Sequence, residues 1–332
     1  MLKPAYATLA VLILPGFIFW EAAAQTPAAT RPAQNFDNVQ VHILPVQGNV
    51  YMLVGAGSNI AVQVGKDGVL LVDTSFAPMA DKVLAAIRTL SDKPIRYIIN
   101  THVHPDHIGG NEKLAKAGKS IVGGNFVANV GVGAADSAAI IAHENVLNRM
   151  SAPTGTSPPS PSAAWPTDTY VTGSKDLFFN AEAVQLFHEA NAHTDGDSMV
   201  FFRRSDVVVT GDIFTPATYP FIDLARGGNI QGIVKALNHI IEITVPADKQ
   251  EGGTYVIPGH GRLCDEADVV EYRDMVTIIR DRIQDSLKKG MTLAQVKESK
   301  PTRDYDPLYA PGDQQAADRF VEGVYNSLAG KK

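Results

Sequence analysis

The sequence predicts an α+β layered fold with β-rich halves, and three observations carry that prediction. Short β-branched runs separated by Gly, Asn and Asp turns open the folded part of the chain and recur from Val184. Helical periodicity follows each β-rich stretch rather than alternating with single strands. Apolar residues make up 45% of the chain against 19% charged, which supports a substantial core, and no repeat of solenoid length is visible.

The first residues carry a different signal. Lys3 gives a short basic start, Leu9 to Trp20 is apolar apart from Pro15-Gly16, and Ala22-Ala23-Ala24 offers a small-residue cleavage site. That order is the secretory pattern. It predicts a signal peptide over 1–24, a periplasmic or secreted mature chain, and no stable membrane insertion after cleavage. Residues 25–38 are polar and Pro-rich and read as a flexible leader.

Val39-Ile43, Val50-Val54, Ile60-Val64 and Val69-Val72 then read as an antiparallel meander. Pro78 to Leu90 is a helix with Met79, Val83, Ala86, Ile87 and Leu90 on one face. Ile95-Ile99 is a strand. Asn111-Ala117 and Phe126-Met150 read as helices, and no regular element is expected in the Ser- and Pro-rich stretch Ser151-Pro166. Val184-Phe187, Met199-Phe202, Val207-Thr210 and Tyr255-Ile257 are strands, with a helix over Ile230-Ile243. From Asp265 the chain is helical. One long helix is stopped by Gly290, one opens on the capping box Thr292-Leu293-Ala294-Gln295, and the last covers Asp313-Leu328. The organisation is a domain over 39–264 and a helical extension over 265–332 that covers the core or forms a homo-oligomer contact.

A net charge of -6 with scattered basic residues argues against nucleic acid as a partner. A small-molecule substrate is expected instead. Cys264 is the single cysteine, so no internal disulfide staples the fold.

Five of the nine histidines fall in three short segments. His102-x-His104-x-Asp106-His107 follows the Ile95-Ile99 strand. Pro105 argues against a regular helix there, so a loop lets these side chains converge. Neutral imidazole and carboxylate are the donors that zinc takes outside thiolate sites. His193 precedes the Met199-Phe202 strand, Asp212 follows Val207-Thr210, and Gly259-His260-Gly261 follows Tyr255-Ile257. Each alone is a weak signal. Together they place ligand-type residues where strands end and loops gather into sites.

This ordered set resembles the metallo-β-lactamase superfamily over roughly Val39 to Cys264. The resemblance implies a four-layer αββα sandwich with metals at one edge, between the sheets. It implies that His102, His104 and His193 hold a first metal, that Asp106, His107 and His260 hold a second, and that Asp212 bridges them. The implied cofactor is two zinc ions, with iron or manganese as alternatives. Asp73, which ends Val69-Leu70-Leu71-Val72-Asp73, matches the family's early aspartate, a support behind the ligands. The implied reaction is hydrolysis of a carbonyl substrate (lactone, ester or β-lactam) by a metal-bridging hydroxide, with Asp106 as catalytic proton shuttle.

The best-known dizinc β-lactamases carry cysteine where Asp212 stands, and no Lys follows it here. Asp212 is closer to the pattern of glyoxalase II and the lactonases, whereas a signal peptide argues against a glutathione-dependent enzyme. The alternatives are a β-lactamase proper, an iron-dependent oxidoreductase on the same fold, and a metal-binding protein without catalysis. Thr215, Thr218 or Tyr219 could donate a hydrogen bond to substrate, Trp165 could belong to a lid, and the amides of Arg226-Gly227-Gly228-Asn229 could meet an anion. Ordinary packing and an Asn cap are the competing readings. His42, His143, His188 and His239 lie outside any motif and read as structural or surface residues.

Overall fold

The meander at the start of the chain becomes half of a seven-stranded sheet. In the computed structural model, which describes residues 35–121, 136–154 and 158–331, β1 (His42–Gln47), β2 (Val50–Val54), β3 (Ile60–Gly65) and β4 (Gly68–Val72) pair antiparallel in chain order. β5 (Ile95–Ile99), β6 (Ala139–His143) and β7 (Asp168–Tyr170) then continue the sheet in parallel with β4. The second sheet has five strands in the order β12-β11-β10-β9-β8. β8 (Ser174–Phe179), β9 (Glu182–His188), β10 (Ser198–Phe202) and β11 (Val207–Val209) are antiparallel neighbours, and β12 (Tyr255–Ile257) runs parallel to β11.

The sheets pack face to face. Val50, Met52, Leu70, Val72, Ile99 and Ile141 of the first meet Phe179, Val184, Leu186, Val200, Phe202 and Ile257 of the second in one buried cluster. α1 (Ala80–Leu90) and α3 (Asn111–Lys116) cover the outer face of the first sheet, through a cluster that includes Val83, Ile87, Leu114 and Ile98. α5 (Ile230–Ile243), α6 (Glu266–Lys288) and α9 (Gln314–Leu328) form a layer on the second, with Ile233, Leu237, Tyr272, Val276, Phe320 and Val324 buried together. The result is the four-layer αββα arrangement. Phe36–Lys332 is one compact unit, so α6 to α9 share their core with the second sheet.

Glu182 ties the sheets together at the end where the β3–β4 turn lies. Its buried carboxylate accepts from Gln63 Nε2 at 2.6 Å, from the Arg204 and Ser205 amides at 3.0 Å each, and from Ser205 Oγ at 2.9 Å. A buried charge is tolerated only when it is satisfied this fully.

Several local expectations need correction. β1 starts at His42 rather than Val39. Ala139–His143 is a strand, and among the described residues of that stretch only Glu144–Ser151 (α4) is helical. The apolar run of a strand buried on both faces lacks alternation and merges with a helix pattern. β7 and β8 went unread because polar residues interrupt them. Pro105 opens one helical turn, α2 (Pro105–Ile108), since its missing N–H costs nothing at the first helical position. Within Ser151-Pro166, Ser162–Ala164 forms one 3-10 turn. The signal peptide, most of the leader and the first part of the Phe126-Met150 helix lie outside the described residues. Elsewhere α5 and the capping box at Thr292, which opens α7 (Leu293–Glu298), match the reading, and α8 (Asp306–Tyr309) precedes α9.

Candidate metal centre

Strand ends from both sheets meet at one edge of the sandwich. The first sheet supplies His102, His104, Asp106 and His107 from the segment after β5 and from α2. The second sheet supplies His193 between β9 and β10, Asp212 after β11 and His260 after β12. The structure brings all seven together in two groups. His102, His104, His193 and Asp212 form one, and Asp106, His107 and His260 form the other; within each group the ligand atoms lie within 4.8 Å of one another.

Asp212 stands between the groups. Its Oδ1 is 3.2 Å from His107 Nε2 and 3.4 Å from His260 Nε2, while its Oδ2 is 4.0 Å from His102 Nε2 and 3.8 Å from His193 Nε2. One carboxylate oxygen therefore faces each group. Two glycines allow this approach. A Cβ on Gly211, which holds φ +53°, would press on Thr101, and a Cβ on Gly259 would overlap Asp212 Oδ1.

The imidazoles are oriented from behind. Asp73 Oδ1 accepts from the Thr101 amide at 2.8 Å, and Oδ2 lies 2.7 Å from both Thr101 Oγ1 and His107 Nδ1. Asp73 adopts φ +65°. Such a non-glycine conformation costs on the order of 1–3 kcal/mol, and it persists where surrounding contacts over-determine it. His193 Nδ1 meets the Phe221 carbonyl at 2.7 Å. His104 Nε2 meets Asp223 Oδ2 at 2.9 Å, and Arg226 Nη1 donates to the same oxygen at 2.7 Å. His102 Nε2 and His193 Nε2 then point at His104 Nδ1 from 3.1 and 2.9 Å. Each of these rings turns one nitrogen inward, as a ligand set requires.

Charge divides the groups. Burial, with neighbouring His107 next, lowers His102 well below the usual imidazole range, and burial takes His193 to about 4. Burial also works against charge on His107, yet the Asp212 and Asp73 carboxylates raise it well above its ordinary value. His260 rises to about 9 against burial, through Asp106 and Asp212. Burial opposes ionisation of Asp106, but His260 and His107 hold it below the usual carboxylate range. His107 Nε2 and Asp212 Oδ1, both buried, have no hydrogen-bond partner among the described residues. Two inward-facing ligand atoms that meet at 3.2 Å without a well-formed hydrogen bond fit a bound cation, as does the imidazole and carboxylate set around them.

Other expectations resolve differently. Tyr219 points into the C-terminal helices, where its hydroxyl donates to Asp306 Oδ1 at 2.8 Å and to the Thr302 carbonyl at 3.2 Å. Thr215 Oγ1 pairs with Tyr272 Oη at 3.1 Å. The amides of Arg226, Gly227, Gly228 and Asn229 all bond to backbone carbonyls, and the Asn229 side chain caps α5. Trp165 packs beside Val103, Ile108 and Val146. His143 and His188 stack at 3.6 Å and belong to neither ligand group. Two residues at the site escaped the sequence reading. Asp223 and Phe221 belong to no motif, and only the fold carries them to His104 and His193. Phe221 is 64% exposed, with its ring centroid 6.1 Å from that of His104 and 5.8 Å from that of His193.

Comparison with known proteins bears on the family and the fold. The family model described as Metallo-beta-lactamase superfamily matches residues 45–260. A linear primary-alkylsulfatase of a Pseudomonas species is 25% identical over 257 residues, covering 68% of this chain and 46% of that protein. A probable hydroxyacylglutathione hydrolase of Schizosaccharomyces pombe is 25% identical over 206 residues, 56% of this chain and 79% of that one. Among solved structures, the inverting sec-alkylsulfatase Pisa1 from Pseudomonas sp. superposes with TM-score 0.61 at 16% identity, over 86% of this chain and 50% of its own. A metallo-beta-lactamase from Pontibacter korlensis gives 0.53 at 15%, over 72% and 99%. The chain thus spans about half the length of the alkylsulfatases it matches.

Proposed function

The chain belongs to the metallo-beta-lactamase superfamily, and from that premise we propose that it is a two-metal hydrolase of small carbonyl substrates, esters or lactones with an apolar flank. The observation that carries this reading is Asp212, with one oxygen turned to each ligand group. His102, His104 and His193 would hold one ion, Asp106, His107 and His260 the other, and Asp212 would bridge. Such ions, when bound, polarise a carbonyl and lower the pKa of water from about 15.7 to about 7. Zinc suits the donor set best.

The remaining roles belong to the chain itself. Asp106 is partly open, and its Oδ2 lies 3.2 Å from His260 Nε2 and 3.8 Å from His107 Nε2. An ionised carboxylate in that position can accept the proton of the attacking water and return it to the leaving group. Asp73, Asp223 and the Phe221 carbonyl fix the ring orientations, so the site is ordered before substrate arrives. The exposed Phe221 ring supplies an apolar wall beside the first group. Neither Thr215 nor Tyr219 is free to hold a β-lactam carboxylate, which weighs against a dedicated β-lactamase. A second reading, sulfate-ester hydrolysis, is favoured by the alkylsulfatase match.

Metal analysis of the purified protein, with a panel of aryl ester, acyl-homoserine lactone, chromogenic β-lactam and alkyl sulfate assayed with and without chelator, tests the proposal. The expected result is two zincs per chain and chelator-sensitive turnover of the ester or lactone. Full activity after chelation would refute it. A preparation that holds iron and lacks hydrolytic activity would favour the oxidoreductase.

A further inference from the structure

The loop that follows Asp212 is gripped from behind by helices that lie beyond the family-matched region. Tyr272 of α6 donates its hydroxyl to the Thr218 carbonyl at 3.1 Å, and its ring meets Phe214 edge-on at 5.2 Å. Tyr219 stacks flat on Phe320 of α9 at 4.8 Å, leans on Tyr309 of α8 at 5.5 Å, and bonds to Asp306 and Thr302. Ile222 is buried in the same cluster as Phe320, Val321 and Val324. The next bonds outward along this segment are those that orient two ligand imidazoles. Phe221 lends its carbonyl to His193, and Asp223 lends its carboxylate to His104.

We propose that the C-terminal helices brace the metal centre, and that Tyr219, bonded to Asp306, is the positioning residue through which they do so. Two of the three imidazoles of the first group take their outer hydrogen bonds from one short segment. That segment has no regular structure across Phe214 to Asp223 to hold it. Its stretch before Asp223 is anchored by side chains of α6, α8 and α9 and by the Thr302 carbonyl, while Asp223 is also held by its own amide on the His193 carbonyl at 3.0 Å and by Arg226. An extended loop released at Tyr219 gains conformational freedom, and Phe221 and Asp223 lose registration with the rings they orient. The inference rests on the two-metal reading of this site.

The test is zinc affinity, measured on metal-free protein by competition with a chromophoric chelator at fixed pH. Direct outer partners of ligating imidazoles carry roughly 10- to 100-fold in affinity, and the brace acts one step behind them, so Tyr219→Phe should weaken zinc binding about 3- to 10-fold. Asp306→Ala should weaken it no more than that, since the Thr302 carbonyl still accepts from Tyr219, and the double variant should be no weaker than Tyr219→Phe alone, because the bond to Asp306 is already gone there. Asp306→Asn keeps an acceptor and should restore affinity. Ser205→Ala, which loosens Glu182 at the other end of β11, should lower the unfolding midpoint of the metal-free protein without moving zinc affinity. Zinc affinity of Tyr219→Phe within twofold of the parent, or additive losses in the double variant, would overturn the brace while leaving the hydrolase reading intact. A parent chain that takes up no zinc would overturn both.

Discussion

Replacing Asp73 with Asn should invert the proton on a ring it never exposes to solvent. Asn tolerates the left-handed backbone that Asp73 occupies, so the main chain has no reason to move. The Thr101 amide sits 2.8 Å from Oδ1 and can only donate, which pins the new amide oxygen there. The new NH2 then stands where Oδ2 was, 2.7 Å from His107 Nδ1. In the neutral ring that a cation requires, that nitrogen must become the acceptor, and the one remaining proton sits on Nε2, the atom aimed at Asp212 Oδ1. A protonated Nε2 is not a ligand. Disturbing the outer partner of a ligating histidine costs roughly 10- to 100-fold in metal affinity, or about 1.4–2.8 kcal/mol. The metal-free protein should lose less, about 1–2 kcal/mol, because one charge-assisted bond becomes neutral. Zinc competition on the metal-free variant, with urea unfolding beside it, measures both quantities. Zinc affinity unchanged within threefold, in a variant whose stability has fallen, would refute the tautomer argument.

Other outcomes follow from the same structure. Zinc uptake should strengthen with pH up to about 9, by up to tenfold per unit for each proton released, because His107 and His260 hold protons that a cation must displace; a pH-independent stoichiometric titration would contradict this. In metal-free protein the raised His260 contributes stability that is complete below about 6.5 and disappears as pH rises through about 9, which urea midpoints across that window should trace. Glu182→Ala strands four donors and should cost roughly 3–5 kcal/mol by chemical denaturation, while turnover per folded molecule stays constant. A loss under 1 kcal/mol would show that the network relaxes.

How much could be read in the sequence depended on whether the determinant was local. The segment from His102 to His107 packs four donors into six positions, so its meaning needs no tertiary information. His193, Asp212 and His260 were readable because each adjoins a recognisable β-run and their order matched a known pattern. Thr292 and Gln295 announced a helix start through a capping box closed within four residues. The strand Ala139–His143 was hidden because burial on both faces erases alternation. Asp223 was hidden for another reason. Its partner His104 is 119 positions away, and a lone Asp in a loop carries no mark of the ring it will meet. The brace at Tyr219 was equally silent, since Asp306 lies 87 positions on.

The split of the seven donors between the two sheets bears on how the molecule comes apart. His102, His104, Asp106 and His107 belong to one sheet edge, and His193, Asp212 and His260 to the other. At the far end Glu182 clasps the sheets permanently. At this end Asn59 also bridges them, its amide donating to the Gly259 carbonyl at 2.8 Å and its Nδ2 to the Pro258 and Gly261 carbonyls at 3.0 Å each, and the Ser198 amide donates to the Thr101 carbonyl at 2.8 Å. A bound cation would add a clasp that can be loaded and unloaded. A single free cysteine leaves the chain no disulfide to substitute for it. Occupancy of the centre would therefore also adjust mechanical cooperativity. Empty, that edge would be held by hydrogen bonds such as these; filled, the two leaves would be tied more tightly and open more nearly as one.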